Sequence, residues 1–218
     1  MFASGRLPAA ILLLFFFSSA FLSRITRASR VAGSLVDEQS APRSAYQVLA
    51  VGAFPAVAAL GSVVTGDPRW LWGAASAIGF ATADTWATDC GQTYPGRPRL
   101  LGFGRELPPG LSGGVTLRGT WAACAGAALI AGVGAAGLHG GRAPWLRFTA
   151  IGLVGSLLDS VLGAGLQERR SCAICGRITE RPEHCGGRTT TSRRGLSNEG
   201  VNLVCSAVCL WLGWMVAP

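Results

Sequence analysis

The chain has 218 residues, of which 50% are hydrophobic and 14% charged, with 31 glycines and a formal charge of +8; its mean hydropathy is +0.40. Apolar residues come in long blocks rather than short amphipathic segments, which excludes an ordinary water-soluble domain and points to an all-α, polytopic integral membrane bundle. Every basic residue is Arg, and the Arg residues are not interleaved with aromatics, so the positive charge does not describe a nucleic-acid-binding module.

Six blocks match a membrane crossing, at about 7 to 22, 46 to 64, 70 to 88, 119 to 138, 148 to 167 and 200 to 217, each near the ~20 residues needed for ~30 Å of hydrocarbon. We treat residues 1–218 as a single membrane domain of about six spans. With the N-terminus outside, the loops 23 to 45, 89 to 118 and 168 to 199 fall on one side and hold fifteen Arg, against four on the other. The positive-inside rule makes that side cytoplasmic.

The first block has small residues at Ser18 to Ala20 that suit a signal-peptide cleavage site. Only Arg6 precedes the apolar core, while Arg24, Arg27 and Arg30 follow it, a balance that favours an uncleaved span. The linker 23 to 45 reads as a basic connector at the membrane surface. The second block carries Pro55, expected to kink its helix. The turn Gly66-Asp67-Pro68-Arg69 leads to Trp70 and Trp72, expected as interfacial anchors.

The third block is the unusual one. Asp84 lies in an apolar run and Asp89 at its end. An Asp in a lipid-facing helix costs roughly 2.5 to 3.5 kcal/mol on insertion scales, so such an acid is expected to face the bundle interior, a cavity or an ion. Ala77, Ala81, Asp84 and Thr88 share one helix face. After a loop rich in Pro, Gly and Arg comes Gly110-Leu111-Ser112-Gly113-Gly114-Val115-Thr116 at the entrance of the fourth span. Two readings stand for it: a plain turn, or a phosphate cradle in which backbone N–H groups of Gly110, Ser112, Gly113 and Gly114 meet an oxyanion.

In the fifth block Gly155, Asp159, Gly163 and Gln167 recur every four residues beside Gly152, Ser156, Ser160 and Ala164, a face of small and polar residues pressed against partner helices. Asp159 is a second interior acid, either bonded structurally to its neighbours or functional. The loop 168–199 then brings Cys172, Cys175, His184 and Cys185 together, a donor set that suits a structural, four-coordinate Zn²⁺ or, failing that, a redox thiol pair or free surface cysteines. Cys90, Cys124, Cys205 and Cys209 read as embedded small residues. The last block opens with Asn198, Glu199 and Asn202, which read as interhelical glue or as part of a polar site.

The topology gathers these groups at the cytoplasmic face. Carboxylates that hold a hard cation, next to backbone amides that accept phosphate, are what phosphoryl transfer requires, and Mg²⁺ needs only one or two protein carboxylates.

Ala83-Asp84-Thr85-Trp86-Ala87, the run Pro109 to Thr116, the run Gly155 to Ala164 with Gln167, and Asn198-Glu199-Gly200-Val201-Asn202 resemble the transmembrane protein 19 family. That integral membrane family includes the plant phytyl-phosphate kinase, and the resemblance runs from about residue 7 to the C-terminus. It implies a prenyl- or phytyl-phosphate kinase that uses a nucleoside triphosphate and Mg²⁺ at the cytoplasmic face. Asp84, Asp89 and Asp159 would act at the reaction centre, Gly110, Ser112, Gly113 and Gly114 would hold phosphate, and Gln167, Asn198 and Asn202 would contact substrate. The Cys and His loop looks like a feature of some bacterial members and points to a bacterial cytoplasmic membrane. Where the family has Ser-Glu after Trp-Ala, this chain has Thr88-Asp89, which keeps the acid but shortens it. Family members carry further hydrophobic segments upstream, so we expect the chain to be truncated or to start at a misassigned Met. The reading from another class is a non-enzymatic carrier or scaffold in which the acids couple helices or bind an ion. Oligomeric state is not legible.

Overall fold

The computed structural model describes residues 3–27, 45–93, 98–101, 104–108, 111–180 and 182–218. Its helices are α1 (Ala3–Arg27), α2 (Ala45–Thr65), α3 (Arg69–Gly91), α4 (Leu117–Gly137), α5 (Arg142–Leu166) and α6 (Asn198–Met215). Each apolar block of the sequence becomes one helix, and most extend a few residues beyond it.

The organising element is α3, which packs against all five other helices. Every residue from Leu71 to Ala83 is buried. The run between them is Ala, Gly and Ser with a few large residues, a composition that lets neighbouring backbones come close. Around α3, Ile11 and Phe15 of α1 meet Ile78 and Ile130, while Phe80 meets Val201, Cys205 and Cys209 of α6. α5 approaches where Gly152 sits, and a Cβ there would lie 2.9 Å from Ala127 Cβ and 3.1 Å from the Gly79 carbonyl carbon.

Four helices are long and apolar enough to cross a membrane by length and composition: Arg6–Thr26, Tyr46–Thr65, Leu117–Gly137 and Arg142–Leu166. α3 falls outside that group by composition, being rich in Ala, Gly, Ser and Thr with Arg69, Asp84 and Asp89, and α6 because its first turns carry Asn198, Glu199 and Asn202. The lipid-facing surface is clearest on α2, where Val48, Leu49, Val57, Leu60, Val63 and Val64 are exposed.

Two features differ from the sequence expectation. Trp72 is buried and stacks on Phe148 with centroids 4.4 Å apart, so it is a core residue rather than an interfacial anchor. Trp70 packs near Trp214, and Arg69 lies over that same ring at 4.2 Å. The connector after α5 is not a plain loop. It folds as an antiparallel sheet of β3 (Arg169–Cys172), β4 (Ile178–Thr179), β5 (Glu183–His184) and β6 (Gly187–Arg193), in the order β4-β3-β6-β5. The Thr-rich run 187 to 193 carried the signal, since β-branched residues favour strands.

Candidate functional site

Hydrogen bonds fix the orientation of the bundle ends. Ser23 near the end of α1 bonds Asp89 near the end of α3, and Ser112 and Gln167 both bond Glu180, so the loops after α3 and α5 share one end of the bundle. There a cavity of about 690 Å³ opens between helices and loops.

Two helices supply its floor. Asp84 and Thr88 come from α3, and Ser156, Asp159 and Ser160 from α5. Asp84 and Asp159 lie close enough for their charges to interact, and Asp159 also feels the charge of Glu180. Cys205 of α6 stands beside Asp159, whose Oδ1 is buried and, among the described residues, has no hydrogen-bond partner. A carboxylate oxygen left in that state inside a cavity is costly unless something binds it.

The turn before α4 forms one wall. Gly114–Val115 (β2) pairs with Arg99–Leu100 (β1), and Thr116 caps α4 by accepting from the Gly119 N–H at 3.1 Å. Gly113 has φ +94°, and a Cβ there would sit 2.5 Å from Ala164 Cβ. Only glycine satisfies both the left-handed backbone and this contact with α5.

The β-sheet of 169–193 closes the cavity from outside. Glu180, just after β4, accepts from the Ser112 N–H at 2.9 Å, from the Ser112 hydroxyl at 2.8 Å and from Gln167 Nε2 at 2.7 Å. Arg169 donates to the Ser112 carbonyl at 3.0 Å; burial holds its guanidinium below the usual Arg range. Arg193 donates to the carbonyls of Ala164 and Gln167, satisfying acceptors at the C-terminus of α5.

Within the same sheet, the ligand-capable atoms of Cys172, Cys175, His184 and Cys185 all lie within 4.8 Å of one another. The Cys172 thiol is pulled down to about 6, first by bonding from the Cys175 backbone and then by the His184 side chain. Cys185 is pushed up to about 11, first by its bond with Cys175.

Of the residues singled out in the sequence, Asp84, Asp159, Ser112, Gly113, Gly114, Gln167 and Asn198 line the one cavity. Gly110 lies outside the described residues. Asp89 does not line the cavity: it is buried and turned towards α1, where Ser23 donates to it. Helical periodicity explains this, because Asp89 is five residues from Asp84 and so falls on a different face. Asn202 stands one turn inside α6 and also lies off the lining, whereas Glu199 is on it.

Sequence reasoning missed Glu180, whose importance depends on a sheet that no local pattern ties to Ser112. It also passed over Cys205 as a packing residue. Glu168 and Arg170 add a rim pair at 2.6 Å. The lining therefore has Asp84, Asp159, Glu168, Glu180 and Glu199 against Arg170, an acidic space suited to a hard divalent cation.

A family model described as "Integral membrane protein DUF92" matches residues 1–210. Protein PGR of Arabidopsis thaliana is 27% identical over 93% of this chain and 79% of its own length. Uncharacterized membrane proteins of Methanocaldococcus jannaschii and Synechocystis are 35% and 26% identical; each match covers 73% of this chain, and 65% and 63% of those proteins, just under two thirds of their length. No solved structure matches. This breadth of sources, archaeal, cyanobacterial and plant, goes with an integral membrane protein and not with one particular cell type. The chain is a member of the DUF92 family of integral membrane proteins.

Proposed function

We propose that this protein transfers a phosphoryl group from a nucleoside triphosphate to an isoprenoid or similar lipid phosphate, with Mg²⁺, at the cavity between α3 and α5. The observation that carries the reading is the convergence of Asp84 and Asp159 with the Ser112–Gly114 turn in one cavity, where Glu180 holds both Ser112 donors and a phosphate would have to displace it. Phosphoryl transfer asks a protein for little covalent chemistry and much positioning and charge neutralisation. Asp84 and Asp159 would hold Mg²⁺, and the ion would neutralise phosphate oxygens that an acid-rich cavity otherwise repels. The Ser112–Gly114 turn would accept phosphate, and Asn198 would orient substrate.

The acceptor class comes from the resemblance to a family that includes phytyl-phosphate kinase. The position of the cavity agrees with a lipid: Gln47 of α2 lines it, and the adjoining Val48 and Leu49 face outward, so an apolar tail has lipid beside the site.

The test is transfer of labelled phosphate from nucleoside triphosphates to a panel of prenyl monophosphates by purified protein in detergent, with and without Mg²⁺. A Mg²⁺-dependent prenyl diphosphate that disappears in Asp84→Asn supports the reading. No product from any donor with folded protein sinks it. The acid excess of the cavity favours a second reading, a cation-coupled carrier, whose signature is solute flux in proteoliposomes without nucleotide consumption.

A further inference from the structure

We propose that Cys172, Cys175, His184 and Cys185 bind one Zn²⁺ ion, and that this centre holds the sheet so that Glu180 stays seated on Ser112 and Gln167. The four side chains come from three places in the sheet: Cys172 ends β3, Cys175 lies in the turn before β4, and His184 and Cys185 end β5 and begin the turn to β6. They fall within fourteen residues of sequence, 172 to 185, and the turns and strand pairing of the sheet bring them together.

The geometry fits a tetrahedral ion. Zinc bonded to sulfur at ~2.3 Å and to nitrogen at ~2.0–2.1 Å separates its ligand atoms by roughly 3.5 to 3.8 Å. Here Nδ1 of His184 lies 3.4 Å from Cys175 Sγ and 3.1 Å from Cys185 Sγ, and all four donor atoms fall within 4.8 Å of one another. The two printed pairs need an expansion of a few tenths of an ångström to reach that spacing, and the widest pair a contraction of no more than about one ångström. The backbone is shaped for the task. Gly176, Cys185 and Gly186 all have positive φ, at 69°, 54° and 75°. Cys185 thus takes a left-handed conformation that a non-glycine residue adopts at a cost, and it does so at a ligand position.

A donor set of three thiolates and one imidazole leaves no open position, which makes the site structural rather than catalytic. Between Cys175 and His184 the chain passes through β4 and Glu180. A metal that ties both ends of this segment restricts where Glu180 can go. The sheet is small, with two of its strands two residues long, and a small β unit on its own needs such a staple.

The zinc proposal stands apart from the phosphoryl-transfer reading, because metal content is measured without any substrate. The experiment is elemental analysis of the purified chain 1–218, followed by removal of the metal and titration with Co²⁺. About one zinc per chain, and Co²⁺ spectra with thiolate charge-transfer bands and the intense visible bands of a tetrahedral ion, are the expected results. Wild-type protein serves for both, so a misfolded variant does not confuse them. Cys175→Ser and Cys185→Ser should each weaken metal retention at least tenfold, while Glu180→Gln keeps the metal. Protein that retains no zinc and shows octahedral Co²⁺, or whose Cys172 and Cys175 are recovered as a disulfide, overturns the proposal. So does full metal retention in both cysteine variants.

Discussion

Glu180 accepts hydrogen bonds from both the backbone N–H and the hydroxyl of Ser112, at 2.9 and 2.8 Å. A carboxylate thus occupies the donors that the sequence assigned to a phosphate. Phosphate binding at Ser112 must compete with Glu180, and replacing the charge by an amide weakens the competitor. In Glu180→Gln we expect a Mg²⁺–prenyl phosphate complex to bind about five- to tenfold tighter by calorimetry, on the order of 1 to 1.4 kcal/mol. Weaker binding would instead assign Glu180 to the metal.

The acids of α3 and α5 should separate cleanly into two kinds. Asp84→Asn and Asp159→Asn remove carboxylates from the cavity and are expected to reduce transfer by more than about a hundredfold, the scale of losing a preorganised electrostatic group. Asp89 bonds Ser23 instead. Asp89→Asn should therefore retain most of its turnover and lose roughly 1 to 3 kcal/mol of stability from a charged hydrogen bond. Parallel activity and thermal-unfolding measurements in detergent check both halves. Equal inactivation of all three variants would return Asp89 to the site.

Much of this was legible in the sequence, and the exceptions have identifiable causes. The six helices follow from block length and hydropathy. The stripe of Asp84 with Thr88, and that of Asp159 with Gln167, follow from helical periodicity, which also contains the reason that Asp89 points elsewhere. Trp72 was misread because a Trp beside a turn looks like an anchor until Phe148, 76 positions further along the chain, is seen against it. Glu180 was invisible for a similar reason. Its partners Ser112 and Gln167 are brought to it by a sheet whose register is set by long-range pairing, and only the Thr-rich strand Gly187–Arg193 announced that sheet locally.

Gly113 offers a test of the turn that does not touch an acid. Its φ of +94° and its contact with Ala164 both oppose a side chain. Gly113→Ala should cost about 1 to 3 kcal/mol of local strain, push the turn away from α5 and weaken anion binding, with the helices intact by circular dichroism. An alanine variant with unchanged binding would show that the turn is a connector only.

Arg193 provides the last prediction. Its guanidinium reaches two carbonyls at the end of α5, from Ala164 at 3.1 Å and from Gln167 at 2.6 Å, and so joins the sheet to the helix that carries Asp159. Lysine keeps the charge and its attraction to the helix C-terminus but lacks the planar fork that spans both acceptors. Arg193→Lys is therefore expected to lose its hold on one of the two carbonyls, about 1 to 2 kcal/mol at this charged donor. The effect should appear as faster hydrogen exchange in residues 169–193 and at the end of α5, with α1 and α2 unchanged. If the joint transmits the position of the sheet to the cavity, the same variant loosens Glu180 from Ser112. It should then share part of the tighter phosphate binding expected of Glu180→Gln, even though Arg193 carries the opposite charge. Faster exchange without that gain would confine Arg193 to helix capping.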